Sequence, residues 1–178
     1  MNKVFILPDN IINQIAAGEV VENPSAVVKE LIENSIDSKA KEIKIIILKG
    51  GQELIQVTDD GYGMNLKDLE TAFLRHATSK IKSQKDLDSI ESLGFRGEAL
   101  PSIASVSRVS MISSDGNETN KIILSGGKTS LIEKSSGKKG TKIKVKNLFF
   151  NTPARKKFLK SSSQEIRNIT KIIKRFML

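Results

Sequence analysis

Hydrophobic spacing divides the chain into short, alternating segments. Residues 10–20 place apolar side chains at helical intervals after Asp9 and Asn10, either of which suits an N-cap. Pro24 fits the first turn of a second helix running to about Asp37. Around that helix, Val27, Val28, Leu31, Ile32 and Ile36 fill one half of the wheel, and Glu30, Glu33, Asn34 and Asp37 fill much of the other. The period then changes to two. Residues 42–48 and 53–58 read as strands joined by Gly50-Gly51. Asp59-Asp60-Gly61-Tyr62-Gly63 reads as a loop. Helical spacing returns over 66–75, and residues 76–93 are polar and read as a long mobile connection. A further helix is predicted at 98–106 and strands at 108–113, 121–124, 129–133 and 141–146, with Gly126-Gly127 turning a hairpin. Residues 164–176 form a basic amphipathic helix. This order predicts an α+β fold with a largely antiparallel sheet.

Composition narrows the chemistry. With 178 residues and 38% apolar content, the chain is long enough for one real core. It has no Cys and one His, so disulfides, thiol nucleophiles and multi-histidine metal centres are excluded. Apolar runs such as Ile45-Ile46-Ile47-Leu48 reach only four residues, too short to span a bilayer, and nothing before Pro8 resembles a signal segment. A cytoplasmic protein without membrane association is expected. The net charge of +9 is unevenly placed: residues 138–178 hold 13 basic side chains and one acid, a net of +12. A polyanion such as DNA, an acidic protein partner or plain solvation would each account for that segment.

The candidate sites are individually ordinary. Glu30 and Asn34 lie one turn apart at the border of the apolar arc. There an amide oxygen suits Mg²⁺ and a carboxylate could activate water; a plain amphipathic surface helix has the same pattern. Asp59 follows a strand and could accept a hydrogen bond from an exocyclic amine, yet Asp-Gly pairs are also common turn formers. Gly94-Phe95-Arg96-Gly97-Glu98-Ala99-Leu100 opens a helix with free backbone N–H groups that suit phosphate, or else makes a tight connection. His76 lacks a Ser and Asp at triad spacing and is expected to cap or pack. Gly126-Gly127-Lys128-Thr129 is not a P-loop, since the first P-loop glycine would fall on Ile122. Gly61-Tyr62-Gly63 lacks the third glycine of a dinucleotide fingerprint.

Together these segments resemble the N-terminal ATPase region of the MutL family of DNA mismatch repair proteins, over nearly the whole chain. The resemblance rests on Asn13-Gln14-Ile15-Ala16-Ala17-Gly18-Glu19-Val20-Val21, Val28-Lys29-Glu30-Leu31-Ile32-Glu33-Asn34-Ser35, Asp59-Asp60-Gly61-Tyr62-Gly63, Arg75-His76-Ala77-Thr78-Ser79-Lys80, the glycine-flanked segment 94–100 and Asn151-Thr152-Pro153-Ala154-Arg155. The Glu/Asn helix and the Asp-x-Gly-x-Gly loop are shared with gyrase, heat-shock chaperone and histidine kinase relatives. The strings at 13–21 and 151–155 argue against a histidine-kinase-like catalytic domain.

The resemblance implies a Bergerat-type ATP-binding sandwich, with helices on one face of a mixed, mostly antiparallel sheet. It implies Glu30 as the general base and Asn34 as the Mg²⁺ ligand. Asp59 would bind adenine, with Gly63 in the same pocket and Thr141 near the base. Thr78, Ser79 and Lys80 would belong to an ATP lid, and Gly94, Phe95, Arg96, Gly97, Glu98, Ala99 and Leu100 to a phosphate cradle. The expected activity is that of an ATP-driven switch that dimerises on binding ATP and recruits other mismatch repair proteins. A basic module with weak, non-specific DNA contact and a regulatory nucleotide site is the alternative. Residues 1–178 are expected to form a single ATP-binding domain. In the family a second domain supplies a lysine to the γ-phosphate and a C-terminal region dimerises; both are expected to lie outside this chain, making it a fragment with weak turnover.

Overall fold

The computed structural model of the chain describes residues 4–78 and 97–177. Six strands form one sheet: β1 (Ile43–Leu48), β2 (Leu54–Asp59), β3 (Arg108–Ser114), β4 (Thr119–Ser125), β5 (Lys128–Lys134) and β6 (Gly140–Lys146). Their order is β1-β2-β6-β3-β4-β5. Every pairing is antiparallel, so the described sheet contains none of the parallel pairing that a mixed sheet would have. β6, the last strand in sequence, inserts between β2 and β3 and joins the two hairpins.

The helices are α1 (Asp9–Val20), α2 (Pro24–Asp37), α3 (Leu66–Thr71), α4 (Ala99–Ser105), α5 (Pro153–Lys157) and α6 (Ser162–Phe176). α2 starts cleanly because Asn23 accepts the N–H of Ala26 at 3.0 Å and Pro24 occupies the first helical position. Its buried face carries Val27, Val28, Leu31 and Ile32. These meet Ile55 and Val57 of β2, Ile143 and Val145 of β6, Val109 and Met111 of β3, and Ile122 and Leu124 of β4 in one core. Ala17, Ile103, Ala104, Phe149 and Ile169 complete it from the remaining helices and the turn after β6. Burying each large aliphatic side chain contributes about 1.5–3 kcal/mol.

Among the described residues, helices cover one side of the sheet only. Lys44, Ile46 and Leu48 of β1, Arg108 of β3, and Lys142 and Lys146 of β6 are exposed on its opposite face, and all of β5 is exposed.

One predicted element shortens and one unpredicted element appears. The helix expected at 66–75 ends at Thr71, and the chain turns so that Arg75 and His76 reach Glu98. His76 adopts φ +61°, which ends helical geometry there. α5 escaped the periodicity reading because five residues are too few to show a repeat. Most of the connection expected at 76–93 lies outside the described residues.

Candidate functional site

At one end of the sheet the apolar alternation turns polar on three adjacent strands. On the covered face, Val57 is followed by Asp59, Met111 by Ser113, and Ile143 is preceded by Thr141. The register puts these polar residues in one row: Asp59 opposite Thr141, and Thr141 opposite Ser113. Asn120 of β4 lies opposite Ser113, is buried, and leaves its Nδ2 without a partner.

Asp59 is held by three donors. Oδ2 accepts the Ser35 hydroxyl at 2.9 Å, and Oδ1 accepts the N–H groups of Gly61 at 3.0 Å and Thr141 at 3.2 Å. Burial pushes its carboxyl above the usual range, with the Asp60 charge adding; the three hydrogen bonds pull the other way and only partly offset burial. Asp60, by contrast, is exposed and ties down the N–H groups of Lys41 and Glu42. The two carboxylates of the Asp-Asp pair thus have different tasks: Asp60 fixes the loop and Asp59 faces the end of α2.

Gly63 has φ +68°, and a Cβ there would collide with the Ser114 carbonyl oxygen. The glycine lets the loop pass directly over β3, bringing the Met64 N–H to the Ser113 hydroxyl at 2.9 Å.

Ser35 belongs to α2, so the same helix that contacts Asp59 carries Asn34 and Glu30. Glu30 is about 7.5 Å further along the axis, toward the helix N-terminus. Its side chain is 24% exposed and open to a ligand, with Lys29 Nζ at 3.4 Å. The main partner of Lys29 is the buried Glu33, at 2.8 Å. Burial alone would lower the lysine's affinity for its proton, but Glu33 and Glu30 together raise it. Glu33, placed by periodicity on the polar side, is in fact buried beneath this ion pair.

Glu98 closes the other side. Its Oε2 accepts Arg75 Nε at 3.0 Å, and Arg75 Nη2 lies 2.8 Å away. Its Oε1 accepts the His76 N–H at 3.2 Å, with His76 Nδ1 at 2.8 Å. Gly97, at φ +63°, runs so close to Ala77 that any Cβ would strike its backbone. The start of α4, with Ala99 and Leu100, is therefore pinned to 75–78, where Thr78 ends the described stretch. Ser79, Lys80, Gly94, Phe95 and Arg96 lie outside the described residues. His76, largely exposed, pairs with Glu98 rather than capping or packing as expected.

The structure thus brings Glu30, Asn34, Asp59, Gly63 and Thr141 around the joint of α2, β2 and β6, with Gly97–Leu100 forming a separate segment held through Arg75. Ser35, Ser113 and the carboxylate of Glu98 were not singled out from sequence. A signal for the first two existed: each is a polar residue interrupting an apolar periodicity, Ser35 within the α2 arc and Ser113 after Val109 and Met111. Arg155, part of the basic segment, is not a free surface charge: its guanidinium packs directly on Gly18 of α1. The motifs at 13–21 and 151–155 therefore meet one another.

A family model described as histidine kinase-, DNA gyrase B-, and HSP90-like ATPase matches residues 22–149. The whole chain is 52% identical to part of the DNA mismatch repair protein MutL of Caldanaerobacter subterraneus subsp. tengcongensis and 51% identical to part of that of Bacillus licheniformis. It covers 30% and 28% of those proteins, so it spans less than a third of their length. Among solved structures, the Aquifex aeolicus MutL ATPase domain complexed with ADP superposes with a TM-score of 0.70 at 33% identity, over 88% of this chain and 55% of that one. The N-terminal domain of a DNA repair protein superposes with a TM-score of 0.72 at 33% identity, over 91% and 46% of the two chains.

Proposed function

Because the chain belongs to the histidine kinase-, DNA gyrase B- and HSP90-like ATPases, in their MutL branch, we propose that it binds and hydrolyses ATP as the nucleotide-driven switch of a mismatch repair protein. The observation that carries this reading is the Asp59 carboxylate, half-buried at the end of β2 and tied by Ser35 to the helix that also bears Glu30 and Asn34. A carboxylate held in this way accepts a hydrogen bond from the exocyclic amine of adenine. The rest of the nucleotide then extends along α2 toward Glu30.

Glu30 is the general base: its carboxylate takes a proton from the water whose oxygen bonds to the γ-phosphorus as the bond from that phosphorus to the β–γ bridging oxygen breaks and ADP leaves. Asn34 would hold Mg²⁺ through its amide oxygen. Among the described residues no group of three or more His, Cys, Asp or Glu side chains forms a cage. That donor set fits an ion that keeps waters and phosphate oxygens as its other ligands. Bound Mg²⁺ neutralises phosphate charge. The N–H groups of Gly97, Glu98, Ala99 and Leu100 face the phosphates; by the family resemblance Gly94, Phe95 and Arg96 belong to the same cradle, and Thr78, Ser79 and Lys80 to the ATP lid. ATP binding then favours dimerisation of the whole protein and recruitment of other repair proteins.

Titrating ATP, ADP and GTP with Mg²⁺ while following thermal unfolding tests the reading. A ligand at a hundred times its Kd stabilises by about 2.7 kcal/mol. ATP and ADP should raise the midpoint and GTP should not; no shift with ATP would overturn the assignment.

A second role has its own support. β6 points Lys142, Lys144 and Lys146 to the open face of the sheet, beside Arg108 of β3. That face, with the exposed lysines of α5, supports weak and sequence-independent contact with DNA phosphates.

A further inference from the structure

The polar row continues past Asp59 to a residue that the reading above leaves unused. Ser113 is fully buried. Its oxygen accepts the Met64 N–H at 2.9 Å, lies 2.8 Å from Thr141 Oγ1 and 3.3 Å from the carbonyl oxygen of Gly140. A serine hydroxyl carries one proton, so two arrangements are open to the pair. In the first, Ser113 donates to Thr141, and the proton of Thr141 is free to point away from the row. In the second, Thr141 donates to Ser113, Ser113 donates to Gly140, and Thr141 has only lone pairs to offer a ligand. The second depends on the 3.3 Å contact, which is long for an O–H···O bond; the first uses only the 2.8 Å contact, at the preferred length.

The first arrangement makes Thr141 a donor directly beside the acceptor Asp59, whose Oδ1 takes the Thr141 N–H. An acceptor next to a donor complements the Watson–Crick edge of adenine, where the amino group is a donor and ring nitrogen N1 an acceptor. Guanine and hypoxanthine present the reverse, an acceptor O6 beside a donor N1–H. We propose that Ser113 is a positioning residue for base recognition: by donating its proton to Thr141 it keeps Thr141 a donor, and so makes the site select adenine over 6-oxopurines. This rests on the assignment of Asp59 to the base. Asp59 rejects O6 by charge, while Ser113 sets the second half of the pattern without touching the ligand.

Calorimetry on the whole chain with ATP, 1-deaza-ATP (N1 replaced by C–H) and ITP tests the inference. One hydrogen bond of this kind corresponds to about tenfold in affinity. The unaltered chain should bind 1-deaza-ATP about tenfold more weakly than ATP. Ser113→Ala leaves the Thr141 hydroxyl free to turn either way, so it should lose little affinity for ATP, keep the sensitivity to 1-deaza-ATP, and show a narrower preference for ATP over ITP. Ser113→Cys, a near-isostere that keeps a weaker donor, should lie between, and thermal melts identify any variant that fails to fold. Equal affinity of the unaltered chain for ATP and 1-deaza-ATP overturns the inference whatever the variants do. So does an unchanged preference for ATP over ITP in folded Ser113→Ala. If ATP binds and Asp59→Asn abolishes it while either of those results holds, only the role of Ser113 falls. If ATP does not bind, the adenine-site reading and the inference fall together.

Discussion

Asp59 is under opposing influences. Burial raises its proton affinity, while Gly61, Ser35 and Thr141 stabilise the charged form, and burial prevails. The consequence for pH follows from the sign. A carboxyl whose folded pKa is raised favours folding below that value, and the benefit is lost as pH rises through it. Base recognition runs the other way, since it needs the ionised acceptor. ATP affinity should therefore fall on acidification starting above the ordinary carboxylate value of 3.8, while this group's own contribution favours the folded state over the same window. Asp60 and Asp115, both lowered by backbone N–H groups, withdraw their stabilisation only as pH falls through and below the ordinary range. Calorimetric affinities across a pH series would test this; a loss of affinity confined to pH below 3.8 would contradict it. Glu30 governs a different step. Glu30→Ala should leave ATP affinity nearly unchanged and reduce kcat by a factor of about 10²–10⁴. Single-turnover rates in a longer chain that carries the following domain would measure it, and near-normal turnover would remove Glu30 from the role.

Among the elements, α2 and the antiparallel strands were legible because each has a strong period and clear punctuation. Asn23-Pro24 starts α2, and Gly126-Gly127 turns β4 into β5 with both glycines at positive φ. Periodicity failed where long-range contacts decide. Leu66, Leu69, Ala72 and Phe73 keep helical spacing, but the helix stops at Thr71 because Arg75 and His76 are drawn to Glu98, which is more than twenty residues away in sequence. No local pattern announces that pairing. The same holds for the row formed by Asp59, Thr141 and Ser113, which exists only once β6 has inserted between β2 and β3. Candidate residues within one motif could thus be singled out from the residues themselves and Thr141 through the family resemblance, whereas the link across strands to Ser113 could not. Glu98→Ala should release both Arg75 and His76 and loosen the start of α4. The expected cost is about 1–3 kcal/mol, read as a lower unfolding midpoint, together with faster amide exchange at 99–102. Unchanged stability and exchange would show that the ion pairs do not hold this junction.

At the scale of the whole molecule, helices cover one face of the sheet and a basic surface occupies the other. Two cations are engaged within the fold itself. Arg155 packs on Gly18, and Arg108 lies over the Phe150 ring, 5.1 Å from its centroid. Lys142, Lys144 and Lys146, by contrast, recur every second residue along one strand, about 6.8 Å apart. DNA affinity should be weak and fall linearly on a log–log salt plot. Replacing these three lysines with Ala should flatten that slope by two to three units, read by fluorescence anisotropy; an unchanged slope would place the contact elsewhere. Among the described residues no helix is long and apolar enough to cross a membrane. The central claim, however, concerns the covered face: that Asp59 reads the adenine of ATP. Calorimetric titration of Mg-ATP into the unaltered chain and into Asp59→Asn tests it most directly. The account predicts measurable binding by the first and none by the second, since the amide presents a donor to the exocyclic amine; equal affinity of the two would contradict it.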